Sequence, residues 1–229
     1  GLSWQECVDA VHAAGGRVIL AHPYWCGLTA EEVFGLLREK PFLAMEVYNT
    51  CTRSIGKQFN MNIWDNVLDL GIRIPAVAVD DTHRARDLFR GWTIVCAHER
   101  TRASVMKALC ECRFYSSMGP LFRRIDVTER RLSVECSPVE ELLFIMNRSS
   151  GICGHAANCE ATVCEGRYSP AAAKTITSFS ADIPEEVSYV RCQIRDQNGQ
   201  YAWTNPLIYG GSCKTPRGRA AGSFGWMPA

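Results

Sequence analysis

The sequence predicts a parallel α/β domain followed by a small antiparallel β-sandwich. Helical and strand patterns alternate through residue 116, as is typical of a parallel sheet. The segment 18–21 is continuously apolar, which favours a strand buried on both faces. After Gly119-Pro120 the pattern changes to short segments in which apolar and polar residues alternate. Such segments, separated by turn residues, indicate antiparallel strands.

Capping signals place the helices of the first half. Ser3 with Glu6, and Thr29 with Glu32, match the capping-box pattern, and Gly71 is a stop signal for a third helix. The predicted helices cover residues 3–14, 29–38, 60–70 and 101–112. The predicted strands of this half cover residues 18–21, 42–48, 74–79 and 92–97.

The second half shows short strand patterns and clear turns, most clearly at 197–200 (Gln-Asn-Gly-Gln). We expect strands at 125–127, 132–136, 142–146, 175–179, 189–195 and 202–203. The end of the chain is rich in Gly, Pro, Lys and Arg, which predicts a flexible tail. The predicted domains are therefore residues 1–120, the sandwich at 121–209 and the tail at 210–229.

Composition excludes several classes of protein. With 47% hydrophobic and 21% charged residues, the chain is neither disordered, collagen-like nor a coiled coil. A net charge of +1 predicts no nucleic-acid partner, and the absence of an apolar run of about 18 residues predicts no membrane span. We expect the 12 cysteines to be reduced thiols in a cytoplasmic protein. Oligomeric state cannot be read from these patterns.

The cysteines fall into two groups. Several, among them Cys51, stand singly within apolar segments, where cysteine commonly acts as a small buried apolar residue. The densest cluster is Cys153-Gly154-His155 with Cys159 and Cys164. It lacks the paired Cys-x-x-Cys spacing of common structural zinc sites. We therefore interpret the residues of this cluster as loop thiols.

Polar side chains stand at the ends of three predicted parallel strands, where functional groups of α/β folds gather. His22 ends the first strand, Asn49 ends the second, which also carries Glu46, and Asp81 and His83 follow the third. Residues two apart on an extended chain project to the same side, so Asp81 and His83 can converge while Asp80 points away. His, Asp and Glu are ligands for divalent metals.

Each of these residues also has a structural interpretation. His22 is equally compatible with a hydrogen-bonded core histidine, and Asp81 with a helix cap. Glu46 either supports the site or pairs with an arginine. Tyr24 either lines a substrate pocket or packs, and Arg84 either binds a phosphate or lies on a solvated helix face. Asn49 either contacts substrate or ends its strand.

Several segments carry motifs that occur together in one superfamily. They are Ala21-His22-Pro23, Met45-Glu46-Val47-Tyr48-Asn49, Asp80-Asp81-Thr82-His83, Gly91-Trp92 and the segment 113–120. In this order they resemble the polymerase and histidinol phosphatase (PHP) superfamily, most closely its CehA/McbA-type metallohydrolase branch. The segments 189–191 and 202–206 resemble the small β domain that follows the barrel in that branch.

The resemblance implies the C-terminal portion of a distorted (β/α)7 PHP-type barrel with two or three divalent metals, either Zn, Mn or Fe. It implies that His22 binds one metal, Asp81 another, and His83 a third metal or the substrate. We expect Glu46, Asp81 and His83 to be the catalytic residues and His22, Asp81 and His83 the metal ligands. The implied chemistry is hydrolysis by a metal-activated water, with a small phosphoester as the first choice of substrate. A carbamate or ester metallohydrolase, and a metal-free binding or structural module, remain alternatives.

The chain departs from the superfamily pattern at its start. No His-x-His occurs in it, and four barrel strands are predicted where seven are expected. We expect that roughly the first three βα units are missing, either because the chain is a fragment or because it is a natural truncation. On this expectation the full-length protein is an enzyme, and these residues hold only part of its site.

Overall fold

The structure is a computed structural model that describes residues 1–156 and 175–207. The chain divides into two compact units, and the second begins at Ser117. The predicted tail at 210–229 lies outside the described residues, as do Cys159 and Cys164. No helix in the described ranges combines the length and apolar character needed to cross a membrane.

The helices of the first unit begin where the sequence predicts. Both bonds of the capping box are present at Ser3–Glu6 and at Thr29–Glu32, so the expected starts of the first two helices are confirmed. The helices are α1 (Trp4–Ala13), α2 (Ala30–Glu39), α3 (Met61–Asp69) and α4 (Arg102–Cys110). The strands are β1 (Ile19–Leu20), β2 (Ala44–Asn49), β3 (Ala76–Val79), β4 (Trp92–Val95) and β5 (Phe114–Ser117).

Strands β1, β2 and β3 form a parallel sheet with β2 in the centre. All six residues of β2 are buried, including the polar residues Glu46 and Asn49. A strand at the centre of a parallel sheet is covered on both faces. Trp64 of α3 is fully buried and its indole N–H donates to the carbonyl oxygen of Ile74, which ties the helix to the chain entering β3. The three strands end at one edge of this sheet, because they are parallel.

The second unit contains antiparallel strands. They are β6 (Phe122–Thr128), β7 (Arg131–Val139), β8 (Glu141–Met146), β9 (Gly151–His155), β10 (Ile176–Asp182), β11 (Val190–Arg195) and β12 (Tyr201–Thr204). One sheet has the order β10-β7-β6, and in the other β12, β11, β8 and β9 lie side by side. The rings of Phe144 in β8 and Phe179 in β10 pack with their centroids 5.0 Å apart. Both side chains are completely buried.

The predicted fold class, the C-terminal portion of a distorted (β/α)7 barrel followed by a β-sandwich, is wrong. Within the described residues the chain is a mixed α/β fold with four α-helices and many antiparallel strands, and β1–β3 form a parallel sheet of three strands. Strand β1 has two paired residues, so it adds little to the sheet. Helix–strand alternation specifies local βαβ units, but it does not specify that a sheet closes on itself.

Close packing in the first unit requires a glycine at position 91. A Cβ atom there would lie 2.6 Å from Cδ1 of the buried Tyr48 ring and 3.3 Å from the Val79 carbonyl oxygen. We expect Gly91→Ala to lower the free energy of unfolding by about 1–3 kcal/mol, since the added Cβ atom forces the buried Tyr48 ring to shift. A Cβ atom on Gly35 in α2 would meet nothing within 4 Å. Gly35→Ala should therefore raise stability by up to about 1 kcal/mol. Urea denaturation checks both, and equal effects would contradict the packing argument.

The ion pair between Glu141 and Arg195 should make the second unit sensitive to acid. These residues are direct cross-strand partners, and the guanidinium donates two bonds of 3.0 and 2.9 Å to the carboxylate. This hydrogen bonding lowers the pKa of Glu141 below its ordinary value of 4.5. Because the folded form holds its proton less tightly than the unfolded chain, the stabilisation is present above pH 4.5 and is lost as pH falls through the lowered pKa.

We expect Glu141→Gln to lose about 1 kcal/mol at pH 7 and progressively less below pH 4.5. Glu135→Gln, at an exposed position of β7, is the matched control and should show no such pH-dependent difference. Denaturation curves of the three proteins between about pH 3 and 7 provide the measurement. A constant difference for Glu141→Gln across this range would contradict the assignment.

Candidate metal centre

Three potential metal ligands meet where β2 and β3 end. Cys51 begins a short 3-10 helix that follows β2, and Asp81 and His83 lie just after β3. One ligand atom from each residue lies within 4.8 Å of the other two. Cys51 and Asp81 are half-buried and His83 is exposed. This Cys51–Asp81–His83 cluster can hold a metal ion.

The backbone fixes the ring of His83. Its Nδ1 lies 2.8 Å from the carbonyl oxygen of Asp81, and its backbone N–H donates to Oδ2 of Asp87 at 3.2 Å. Asp87 is buried and also accepts the N–H of Arg84 at 2.8 Å. In the tautomer that carries its proton on Nδ1, this atom donates to the carbonyl and Nε2 is the ligand atom.

A buried amide connects the two acids of the site. The Nδ2 group of Asn49 donates to Glu46 Oε2 at 2.9 Å and to Asp81 Oδ2 at 3.1 Å. Its Oδ1 accepts the backbone N–H of Thr52 at 3.3 Å. Glu46 Oε2 accepts a further bond of 2.7 Å from the backbone N–H of His22. The Asn49 side chain therefore links the ends of β2 and β3.

Glu46 titrates above its ordinary range. Burial raises the pKa of this carboxyl, and the nearby charge of Asp81 raises it further. The bonds from Asn49 and from the backbone of His22 oppose this shift without cancelling it. A carboxyl with a raised pKa exchanges its proton closer to neutral pH, which suits an acid–base role.

Two residues of the site have unusual backbone angles. His22 has φ 27° and Asp81 has φ 49°, in the left-handed region that non-glycine residues seldom occupy. Each lies just beyond the end of a parallel strand, His22 after β1 and Asp81 after β3. Such conformations cost on the order of 1 kcal/mol and are concentrated at functional sites.

The imidazole of His22 has neighbours other than the cluster. Its Nδ1 lies 3.5 Å from Sγ of Cys26, and its ring meets Trp25 edge-on with centroids 5.0 Å apart. The backbone N–H of His22 connects it to Glu46, but its side chain is not part of the Cys51–Asp81–His83 cluster. Its predicted role as a metal ligand stays a prediction.

Three residues are predicted to contact substrate, and of these Tyr24 and Arg84 are exposed. The third, Asn49, is fully buried, and its predicted substrate contact stays a prediction. The backbone N–H of Tyr24 donates to Oδ1 of Asn60 at 2.9 Å, and the ammonium group of Lys57 lies 5.0 Å from the centre of the Tyr24 ring. The backbone N–H of Arg84 anchors it to Asp87. Both side chains are accessible to a ligand.

Sequence reasoning misses Cys51 and the role of Asp80. Cys51 is grouped above with the cysteines of apolar segments, yet its neighbours Thr50 and Thr52 are polar. It follows the end of β2 by two positions, so the rule that selects His22 and Asp81 also applies to it. The Asp80 carboxylate accepts the backbone N–H groups of Phe89, Arg90 and Gly91 at 2.6–2.9 Å. It holds the 89–91 loop, while its neighbour Asp81 contributes to the cluster.

The donor set fits a divalent metal. Thiolate, imidazole and carboxylate are all zinc ligands, and donors of a tetrahedral site lie about 3.5 Å apart. The ligand atoms of Cys51, Asp81 and His83 lie within 4.8 Å of one another, so side-chain movements of about 1 Å would bring them to this spacing. Within residues 1–156 and 175–207 the cluster offers three ligands, and three protein ligands leave a position open for water or substrate.

Metal binding should depend on Cys51. We expect Cys51→Ala to weaken Zn²⁺ affinity by at least about tenfold, since one of three donors is lost. Cys7→Ala is the matched control, because Cys7 is exposed on α1 and lies outside the cluster. Competition with a chromogenic chelator at about pH 7 measures both affinities. Equal affinity in the two variants would show that the metal, if bound, lies elsewhere.

Comparison of the chain with protein-family models, curated proteins and solved structures finds no match. The description of this centre therefore depends on the contacts within the chain.

Proposed function

We propose that this chain carries the metal centre of a metal-dependent hydrolase and that its substrates are small phosphoesters. The observation that carries the proposal is the convergence of the Cys51–Asp81–His83 cluster with the buried pair Glu46 and Asn49. The reaction class comes from the resemblance of the ordered motifs to the PHP superfamily. The contacts among Cys51, Asp81, His83, Glu46 and Asn49 support the position of the site.

The ligand types favour zinc or iron over manganese. Manganese prefers carboxylate and other oxygen ligands, whereas a thiolate such as that of Cys51 suits softer metals. When bound, such a cation supplies Lewis acidity that lowers the pKa of a coordinated water. Cys51, Asp81 and His83 would hold it, and the carbonyl of Asp81 keeps the His83 ring in place.

Glu46 is the proposed proton acceptor. It is buried, its pKa is raised, and one of its oxygens is already held by Asn49 and the His22 backbone. These two bonds fix the orientation of the carboxyl, so that it can take the proton that the attacking water loses and return it to the leaving group. Asn49 keeps Glu46 and Asp81 at a set separation by donating to both.

Two cationic side chains near the metal centre favour an anionic substrate over a neutral carbamate. Lys57 lies beside the exposed Tyr24, which follows His22 in the loop after β1, and Arg84 follows His83 directly. Both are suited to hold the oxygens of a phosphate. The exposed rings of Tyr24 and Trp25 offer a surface for an apolar leaving group.

Hydrolysis should require Glu46 but not exposed glutamates. We expect the Zn²⁺-loaded chain to hydrolyse p-nitrophenyl phosphate or bis(p-nitrophenyl) phosphate, and Glu46→Gln to lower kcat by about 100-fold or more. Glu31→Gln, on the exposed first turn of α2, is the matched control and should retain full activity. Metal content measured in parallel separates loss of chemistry from loss of metal.

Each other outcome points to a named alternative. Hydrolysis of 1-naphthyl carbamates without phosphoester cleavage would replace the phosphoesterase by a carbamate or ester hydrolase. A chain that binds no Zn²⁺, Mn²⁺ or Fe²⁺ and hydrolyses none of these substrates would contradict the proposal and favour a metal-free binding or structural module.

A further inference from the structure

A cavity of the first unit lies between α4 and the connection from α1 to β1, and its volume is about 320 Å³. Arg102, Met106, Lys107 and Cys110 line it from α4, and Arg17 lines it from the connection. With Ala103, five residues of α4 line the cavity, and they recur at intervals of one and three positions, so they lie on one face of the helix. The volume is at the lower end of the range for small-molecule sites.

The lining is strongly positive. It contains three cationic residues and no acidic one. The side chains of Arg102 and Lys107 form no hydrogen bond or ion pair with any residue in 1–156 or 175–207. Arg17 donates through Nη1 to the carbonyl oxygens of Gly16, at 2.7 Å, and Gly15, at 3.5 Å. Three cations around one cavity repel each other, and a bound anion would relieve this repulsion.

Arg102 lies at a position of α4 where a cation does not stabilise the helix. It occupies the first turn of α4, which has no acidic residue, although the positive end of the helix dipole disfavours cations there. The first turns of α1 and α2 show the usual arrangement, with Glu6 in one and Glu31 and Glu32 in the other. Thr101 already caps α4 by accepting the N–H of Ser104. An anion in the cavity supplies the negative charge that this turn lacks.

The turn that presents Arg17 is tightly packed. Gly15 has φ +80°, and a Cβ atom on Gly16 would lie 2.7 Å from Cγ1 of Val11 and 3.0 Å from its carbonyl oxygen. Only glycine fits at Gly16 without displacing the helix end. The backbone that holds Arg17 through its Nη1 bonds is therefore constrained.

We infer that this cavity binds a small organic anion that combines a phosphate, phosphonate or carboxylate group with a compact apolar group. Arg17, Arg102 and Lys107 bind the charged end, and the apolar end lies against Met106 and the neighbouring Ala103. The cavity shares no residue with the Cys51–Asp81–His83 cluster. Its occupancy and the proposed hydrolysis can therefore be tested separately.

Phenylphosphonate is a suitable probe because it has both groups and cannot be hydrolysed as an ester. With a chelator present, we expect calorimetry to show one binding event, and Arg102→Glu to weaken it at least about tenfold. Arg100→Glu is the matched control, since Arg100 is exposed, carries the same charge and lies outside the lining. Inorganic phosphate and benzoate as competitors show which part of the anion is recognised. Absence of binding, or equal weakening in both variants, would overturn the inference.

Protection of Cys110 locates the ligand without any substitution. Cys110 is exposed and lines the cavity, whereas Cys7 is exposed on α1 outside it. We expect saturating phenylphosphonate to slow alkylation of Cys110 by iodoacetamide several-fold and to leave Cys7 unchanged, as followed by peptide mass spectrometry. Equal rates at Cys110 with and without the probe would show that the ligand binds elsewhere.

Discussion

The candidate metal centre depends on one buried amide. Asn49 is fully buried, and both its donor and its acceptor atoms are engaged, with Glu46, Asp81 and the backbone of Thr52. Two carboxyl groups this close repel each other when both are ionised. The amide offsets part of this repulsion by donating to each of them. It thereby holds the end of β2 against the segment that follows β3.

The two adjacent aspartates after β3 have different roles. Asp80 satisfies three consecutive N–H groups of the 89–91 loop, and Asp81 faces the cluster. The left-handed backbone of Asp81 brings the chain round so that its own carbonyl reaches the His83 ring. The bond from Asn49 to the Asp81 carboxylate and the contact of the Asp81 carbonyl with His83 offset this backbone strain. The same carboxylate type serves the loop at one position and the metal centre at the next.

The parallel sheet places the centre, but it does not extend into a barrel. Capping boxes, glycine stops and apolar runs are local signals, and the positions of α1–α4 and β1–β4 follow them closely. Barrel closure depends on strand number, stagger and register, which are properties of many strands together. The expected barrel closure came from the resemblance to the PHP superfamily and not from any pattern in this sequence. The observed pairings β1-β2-β3 and the antiparallel sheets of the second unit replace the expected barrel.

By itself, the sequence determined the helices α1–α4 and the strands β1–β4, and it placed Asp81 and His83 just after a strand and Glu46 within one. These follow from spacing along a few residues, because backbone geometry repeats locally. It missed β5 and β9, and Cys153 and His155, interpreted as loop residues, lie in β9. Only the tertiary structure decided that Cys51 joins Asp81 and His83, and that the His22 ring lies against Cys26 and Trp25. Those meetings depend on how loops from different strands bend back on one another. Loop conformation is set by contacts between distant segments, such as the Asn49 amide, which no local pattern encodes.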